Sequence, residues 1–176
     1  MHALIVGDRG VGKSTLIRRV LKDLNRPVFG YETKKEEQLE DAARGCPIYI
    51  YDAGKPHCQT PENLIGYHME QDTAAITAAF ERYAPRLLLP APENAVLKLD
   101  EIGFLEAKSE SFCQAVLHLL DGSMPVIAAV KNKDIQFLNI IRNHPNARCF
   151  YITAENRDAL YEEVLEFMKL QPEEKL

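Results

Sequence analysis

The octapeptide Gly7-Asp8-Arg9-Gly10-Val11-Gly12-Lys13-Ser14 decides how the chain is read. It satisfies GxxxxGK(S/T) at every defined position, and it lies between an apolar run at 3–6 and an amphipathic stretch at 14–24. Strand, tight loop and helix in that order build an anion-binding turn. Glycines admit backbone torsions that a Cβ forbids, so successive N–H groups can turn inward as a nest for phosphate oxygens. The helix that follows adds its unsatisfied N–H groups and the positive end of its dipole. The expected phosphate-binding residues are therefore Gly7, Asp8, Arg9, Gly10, Val11, Gly12, Lys13, Ser14 and Thr15. Lys13, expected in a solvent-facing loop, brings a mobile cation to the β- and γ-phosphates. The Ser14 hydroxyl is sized for Mg²⁺, and Thr15 can cap phosphate oxygens nearby. Asp8 and Arg9 form the variable tip; both are solvated, or Arg9 touches a partner or the γ-phosphate.

Outward from this loop, short apolar runs bounded by turn signals recur at 95–99, 126–130 and 149–152. Helical periodicity follows them at 111–120, 135–142 and 157–170. Strand alternating with helix predicts an α/β fold of three layers, a mainly parallel sheet with helices on both faces. Arg26-Pro27 stops the first helix, and Val28-Phe29 starts a second short strand. Residues 30–92 carry charge clusters, glycines and prolines, and they read as a small β-hairpin/helix insertion. Within it PIYIY at 47–51 is strand-like, DAGKP at 52–56 is a turn, and 71–84 has helical spacing through Ile76, Ala79, Phe80 and Tyr83. The tail at 171–176 is polar and expected to fray, so residues 1–176 read as a single domain.

A phosphate loop needs an acidic partner at the end of a neighbouring strand, and Ala95-Val96-Leu97-Lys98-Leu99-Asp100-Glu101 supplies one. Asp100 would hold Mg²⁺, directly or through water, together with Ser14. Glu101 is placed to polarise a water for in-line attack on the γ-phosphate, which makes Lys13 and Glu101 the candidate catalytic pair. Lys98 is a misfit in a strand that should be buried on both faces; it is expected near a sheet end, snorkelling. Glu106 reads as a solvated carboxylate at a helix start, or as a member of the same metal and water network. Phe104 and Leu105 read as core packing.

The composition sets limits on partners. Lys and Arg total 21 against 26 Asp and Glu, a formal charge of −5, which argues against non-specific nucleic-acid binding. Hydrophobic residues make up 46% of the chain, enough for a core and too many for a disordered chain. No apolar run approaches the ~20 residues of a membrane span, and MHALIVGDRG has no charged leader region, so a cytoplasmic chain is expected. Cys46, Cys58, Cys113 and Cys149 form no CxxC pair and read as free thiols used for packing. His57 and Cys58 are adjacent, a poor chelate on a strand because neighbours point to opposite faces.

With these residues in place, the chain resembles the small P-loop nucleoside triphosphatases of the THEP type, also called cancer-related nucleoside triphosphatases. GDRGVGKSTLI at 7–17, LDEIGFLEAKSESF at 99–112, PVIAAV at 125–130 and ITAENRDAL at 152–160 carry the resemblance, in the family's order. It implies a RecA-like sheet and Mg²⁺-dependent hydrolysis of ATP, GTP and other nucleoside triphosphates. Gly30-Tyr31-Glu32-Thr33 fits the family's Gly-Phe-x-Thr segment, and an acid then stands where the family has an arginine. Asn156 and Arg157 open the last helix and, at the sheet's ligand-binding edge, are expected to contact the nucleotide base. Lys131-Asn132-Lys133-Asp134 invites comparison with the guanine-reading NKxD motif, but Ile135 occupies the slot that needs aspartate. Two other functions compete with hydrolysis. One is a kinase in which 30–92 forms an acceptor lid; the other is a nucleotide-gated binding module.

Overall fold

Residues 1–69 and 73–170 are described in the computed structural model of the chain. The run before the phosphate loop is strand β1 (His2–Gly7), buried along its whole length. The remaining elements follow in order: α1 (Lys13–Leu24), β2 (Val28–Lys35), β3 (Pro47–Asp52), β4 (Leu64–Tyr67), α2 (Thr73–Leu87), β5 (Val96–Ile102), α3 (Glu110–Asp121), β6 (Val126–Lys131), α4 (Gln136–Arg142), β7 (Ala147–Tyr151) and α5 (Arg157–Lys169). They build one seven-stranded sheet in the order β4-β3-β2-β5-β6-β1-β7. The five strands from β2 to β7 in that order are parallel, and β3 and β4 extend the sheet antiparallel. The expected hairpin thus continues the main sheet. Of the helix expected at 71–84, Gln71 and Asp72 lie outside the described residues, as does the tail at 171–176.

Three layers follow from the two-residue period of a strand. Leu4 and Val6 face one core with Leu97, Leu99, Ala128 and Val130, where α2, α3 and α4 pack. Ala3 and Ile5 face the other with Val96, Ile127 and Ala129, where α1 and α5 pack. A strand covered on both faces has no polar side to show, which is why β1 and β6 read as unbroken apolar runs. Burying each such Leu, Ile or Val contributes about 1.5–3 kcal/mol. His2 is fully buried as well. Its Nε2–H donates to Leu120 O (3.0 Å) and its Nδ1 accepts from Val126 N–H (3.2 Å), which ties β1 to α3 and β6.

β2 is longer than expected. Its second half, Glu32 to Lys35, leaves β5 and pairs with β3 instead, with Thr33 opposite Ile50. Charges on that half hide the strand pattern in the sequence. Lys98 is likewise explained by a partner that only the fold supplies. It ion-pairs with Glu32 on the neighbouring strand, so the cation is neutralised within the sheet and does not snorkel at its end. Burial alone would raise the Glu32 pKa, but hydrogen bonds from Lys98 and His57 outweigh it and hold Glu32 below the ordinary carboxylate range. His57 Nε2 lies 2.5 Å from Glu32 Oε1, and its ring stacks on Tyr51.

Candidate active site

The phosphate loop turns at the C-terminal end of β1, where an open parallel sheet leaves its crevice. Gly10 (φ 84°) and Gly12 (φ 107°) take left-handed torsions, and Gly12 stands at the N-cap of α1. Any side chain would strain both positions. Lys13 departs from expectation: it is 5% exposed, pulled inward by three acceptors. Its Nζ donates to Gly7 O (2.9 Å) and Asp8 O (2.8 Å) and pairs with Glu101 Oε1 (3.1 Å). The loop therefore folds back on its own lysine and on the end of β5.

β5 delivers both acids. Asp100, itself buried, accepts from Ser14 Oγ at Oδ1 (3.4 Å) and from Thr33 at Oδ2, through the backbone N–H (3.0 Å) and the hydroxyl (3.3 Å). Glu101 faces Lys13 on one oxygen and Lys131 on the other, with Lys131 Nζ 3.6 Å from Oε2. Glu106 is not simply solvated. Its Oε2 accepts from Gly103 N–H (2.9 Å), and burial raises its pKa, with the Glu101 charge adding to the shift. Phe104, expected in the core, is exposed under the Lys108 ammonium, because the turn after β5 lifts it off the sheet; Leu105 packs against the core as expected.

A cleft of about 380 Å³ joins Arg9, Gly10, Gly12, Lys13, Ser14, Thr15, Thr33, Asp100 and Glu101. Three residues of the loop do not line it. Gly7 is held where a Cβ would lie 2.7 Å from Ile152 Cγ2. Asp8 offers its carbonyl to Lys13, and the Val11 side chain packs on the α1–α5 core. Arg157 lines a second hollow of about 200 Å³ with Gly12, Thr15 and Arg19. Asn156 is engaged in its own turn, accepting from Thr153 N–H (2.8 Å) and donating to Tyr151 O (2.9 Å). Thr33 and Lys131 join the candidate site beyond the residues that the sequence alone points to. The only signal for Thr33 was its place in the GYET segment. Lys131 had the signal of ending a buried strand.

Such a loop and acid pair on a parallel sheet, with β6 set between their two strands, define a P-loop nucleotide-binding protein. A family model described as NTPase matches residues 2–165. The chain belongs to that nucleoside triphosphatase family. It is 27% identical to the nucleoside-triphosphatase THEP1 of Aquifex aeolicus, covering 96% of this chain and 99% of the relative. It is 29% identical to the Thermotoga sp. (strain RQ2) nucleoside-triphosphatase THEP1, covering 99% of each. Among solved structures, the A. aeolicus THEP1 crystal structure shares the fold at a TM-score of 0.60 and 24% identity, over 96% of this chain and 99% of that one. The solution structure of a human cancer-related nucleoside triphosphatase does so at 0.66 and 23%, over 97% and 98%.

Proposed function

We propose that the chain hydrolyses the γ-phosphate of nucleoside triphosphates such as ATP and GTP in a Mg²⁺-dependent reaction, with Lys13, Ser14, Asp100 and Glu101 as its working residues. The observation that carries this reading is the convergence of Lys13, Ser14, Asp100 and Glu101 on one cleft. The donor set fits magnesium. Ser14 Oγ and Asp100 Oδ1 are hard oxygens facing each other, and Mg²⁺ takes one or two protein oxygens beside phosphates and waters. When bound, the ion would draw charge from the β- and γ-phosphate oxygens; Ser14 and Asp100 would hold it.

In the reaction, Glu101 takes a proton from water as the water oxygen bonds to the γ-phosphorus. The bond from that phosphorus to the bridging oxygen breaks, and the nucleoside diphosphate leaves with phosphate as the second product. Lys13 moves from its three resting acceptors to the phosphates and stabilises their charge. Arg157, beside Gly12 and Thr15, supports a contact with the nucleoside. A guanidinium there presents a flat cation to any base, which suits loose base selectivity. Among the described residues of 30–92, only Thr33 lines the phosphate cleft, which supports water as the acceptor over a lidded kinase. No described helix is long and apolar enough to cross a membrane, and four unpaired cysteines support a reducing, cytoplasmic setting.

Glu101→Gln tests the reading. It should cut single-turnover release by ~10²–10⁴-fold, the range for a lost general base, while equilibrium binding of the triphosphate stays near wild type. Loss of binding together with turnover would make Glu101 a metal ligand or a structural residue.

A further inference from the structure

We infer that Lys131 is the positioning residue of the base: it anchors Glu101 by Oε2 and leaves Oε1 to take the proton from water. This rests on the reading of Glu101 as general base. In the resting geometry both carboxylate oxygens are held, Oε1 by Lys13 (3.1 Å) and Oε2 by Lys131 (3.6 Å). The two lysines differ in what they can do next. Lys13 belongs to the phosphate loop, and a triphosphate in the cleft offers it charged oxygens in place of two backbone carbonyls and one carboxylate oxygen. Its departure frees Oε1. Lys131 ends β6 in register with Gly7 of β1 and does not line the phosphate cleft, so it keeps its oxygen.

The space for Lys131 is provided by a particular residue. A Cβ on Gly103 would lie 2.7 Å from Lys131 Cδ and 3.1 Å from both Cε and Nζ. The bare backbone of Gly103, two residues beyond Glu101, is the wall along which the lysine stem runs. A carboxylate ion-paired at one oxygen samples fewer orientations before the reaction begins, so its second oxygen meets the water with less reorganisation. The strand order makes this possible. β6 lies between the loop strand and the acid strand, so its last side chain emerges between the two halves of the site.

Lys131→Ala should lower the single-turnover rate by ~10–100-fold, as removing an orienting partner does, with the triphosphate dissociation constant and the apo unfolding temperature near wild type. Lys131→Arg, which keeps a cation, should retain more of the rate than Lys131→Ala. Gly103→Ala, which displaces the lysine without removing it, should lower the rate in the same direction. In a Glu101→Gln background, Lys131→Ala should cost no more than about twofold further, because two residues acting as a unit are not additive. An unchanged rate in Lys131→Ala overturns the proposal while the base reading stands. A full additive loss, with triphosphate binding weakened relative to diphosphate, overturns it too, since Lys131 would then act on the nucleotide itself. Wild-type turnover by Glu101→Gln alone would instead remove the base reading.

Discussion

In the resting protein Lys13 is a buried side chain with three oxygen partners, so Lys13→Ala does two things at once. It removes the cation proposed to meet the phosphates, which should cost roughly 10²–10³-fold in turnover. It also strips Gly7 O and Asp8 O of their donor, a loss of about 1 kcal/mol that should lower the apo melting temperature by a few degrees. Turnover and apo thermal unfolding, measured on one preparation, check both. Asp100→Asn replaces a carboxylate with an amide and should shift the magnesium requirement upward; an unchanged titration curve would remove Asp100 from the metal's shell. His2 gives a pH effect of known sign. Burial lowers its pKa to about 4, and the N-terminal charge assists. The unfolded chain therefore binds the extra proton first as pH falls. This contribution is complete above pH 6.5 and is lost as pH falls from there toward 4, to the extent of roughly 3 kcal/mol. Urea midpoints of wild type and His2→Gln across that range should diverge above pH 6 and converge near pH 4.

Helix α3 begins where the acid strand's turn ends, and Ser109 marks the boundary. Its buried hydroxyl accepts from Phe112 N–H (3.2 Å), satisfying one of the free donors of the first turn. Ser109→Ala should cost about 1 kcal/mol in chemical denaturation and leave nucleotide affinity unchanged. The elements near the loop were legible because each carried its own pattern: glycines, an apolar run, a helical period. Elements that depend on a partner were not. The second half of β2 is charged, and its Glu32 makes sense only beside Lys98, 66 positions away. Thr33 and Lys131 reach the candidate site through contacts across strands, and neither the GYET segment nor the KNKD stretch that holds them reveals the acid each one meets. The loop's sequence alone makes Lys13 look solvent-facing, because nothing in it shows that Glu101 lies 3.1 Å from its ammonium.

For the molecule as a whole, alternating strands and helices predict a covered parallel sheet, but they leave the strand order open. That order comes from which faces match, and it sets β6 between β1 and β5. Magnesium and a nucleoside triphosphate, bound at the proposed site, should stabilise the folded chain by linkage by about 2.7 kcal/mol at a hundredfold excess of ligand over the dissociation constant, and raise its melting temperature accordingly. The gain should be smaller in Asp100→Asn at the same concentrations.

The sheet is uneven in how its strands are secured. β1 and β6 have a parallel neighbour on each side and a core on each face, whereas β4 has four residues, one partner and an irregular register. Transferred to deuterium oxide, the amides of β1 and β6 should exchange only when the entire chain opens, and those of β4 should exchange far sooner through local fraying. The flank of β3 and β4 can then detach and return many times within one lifetime of the phosphate cleft. A protease at low dose should consequently cut first within 36–69, leaving a nicked protein that still holds its nucleotide.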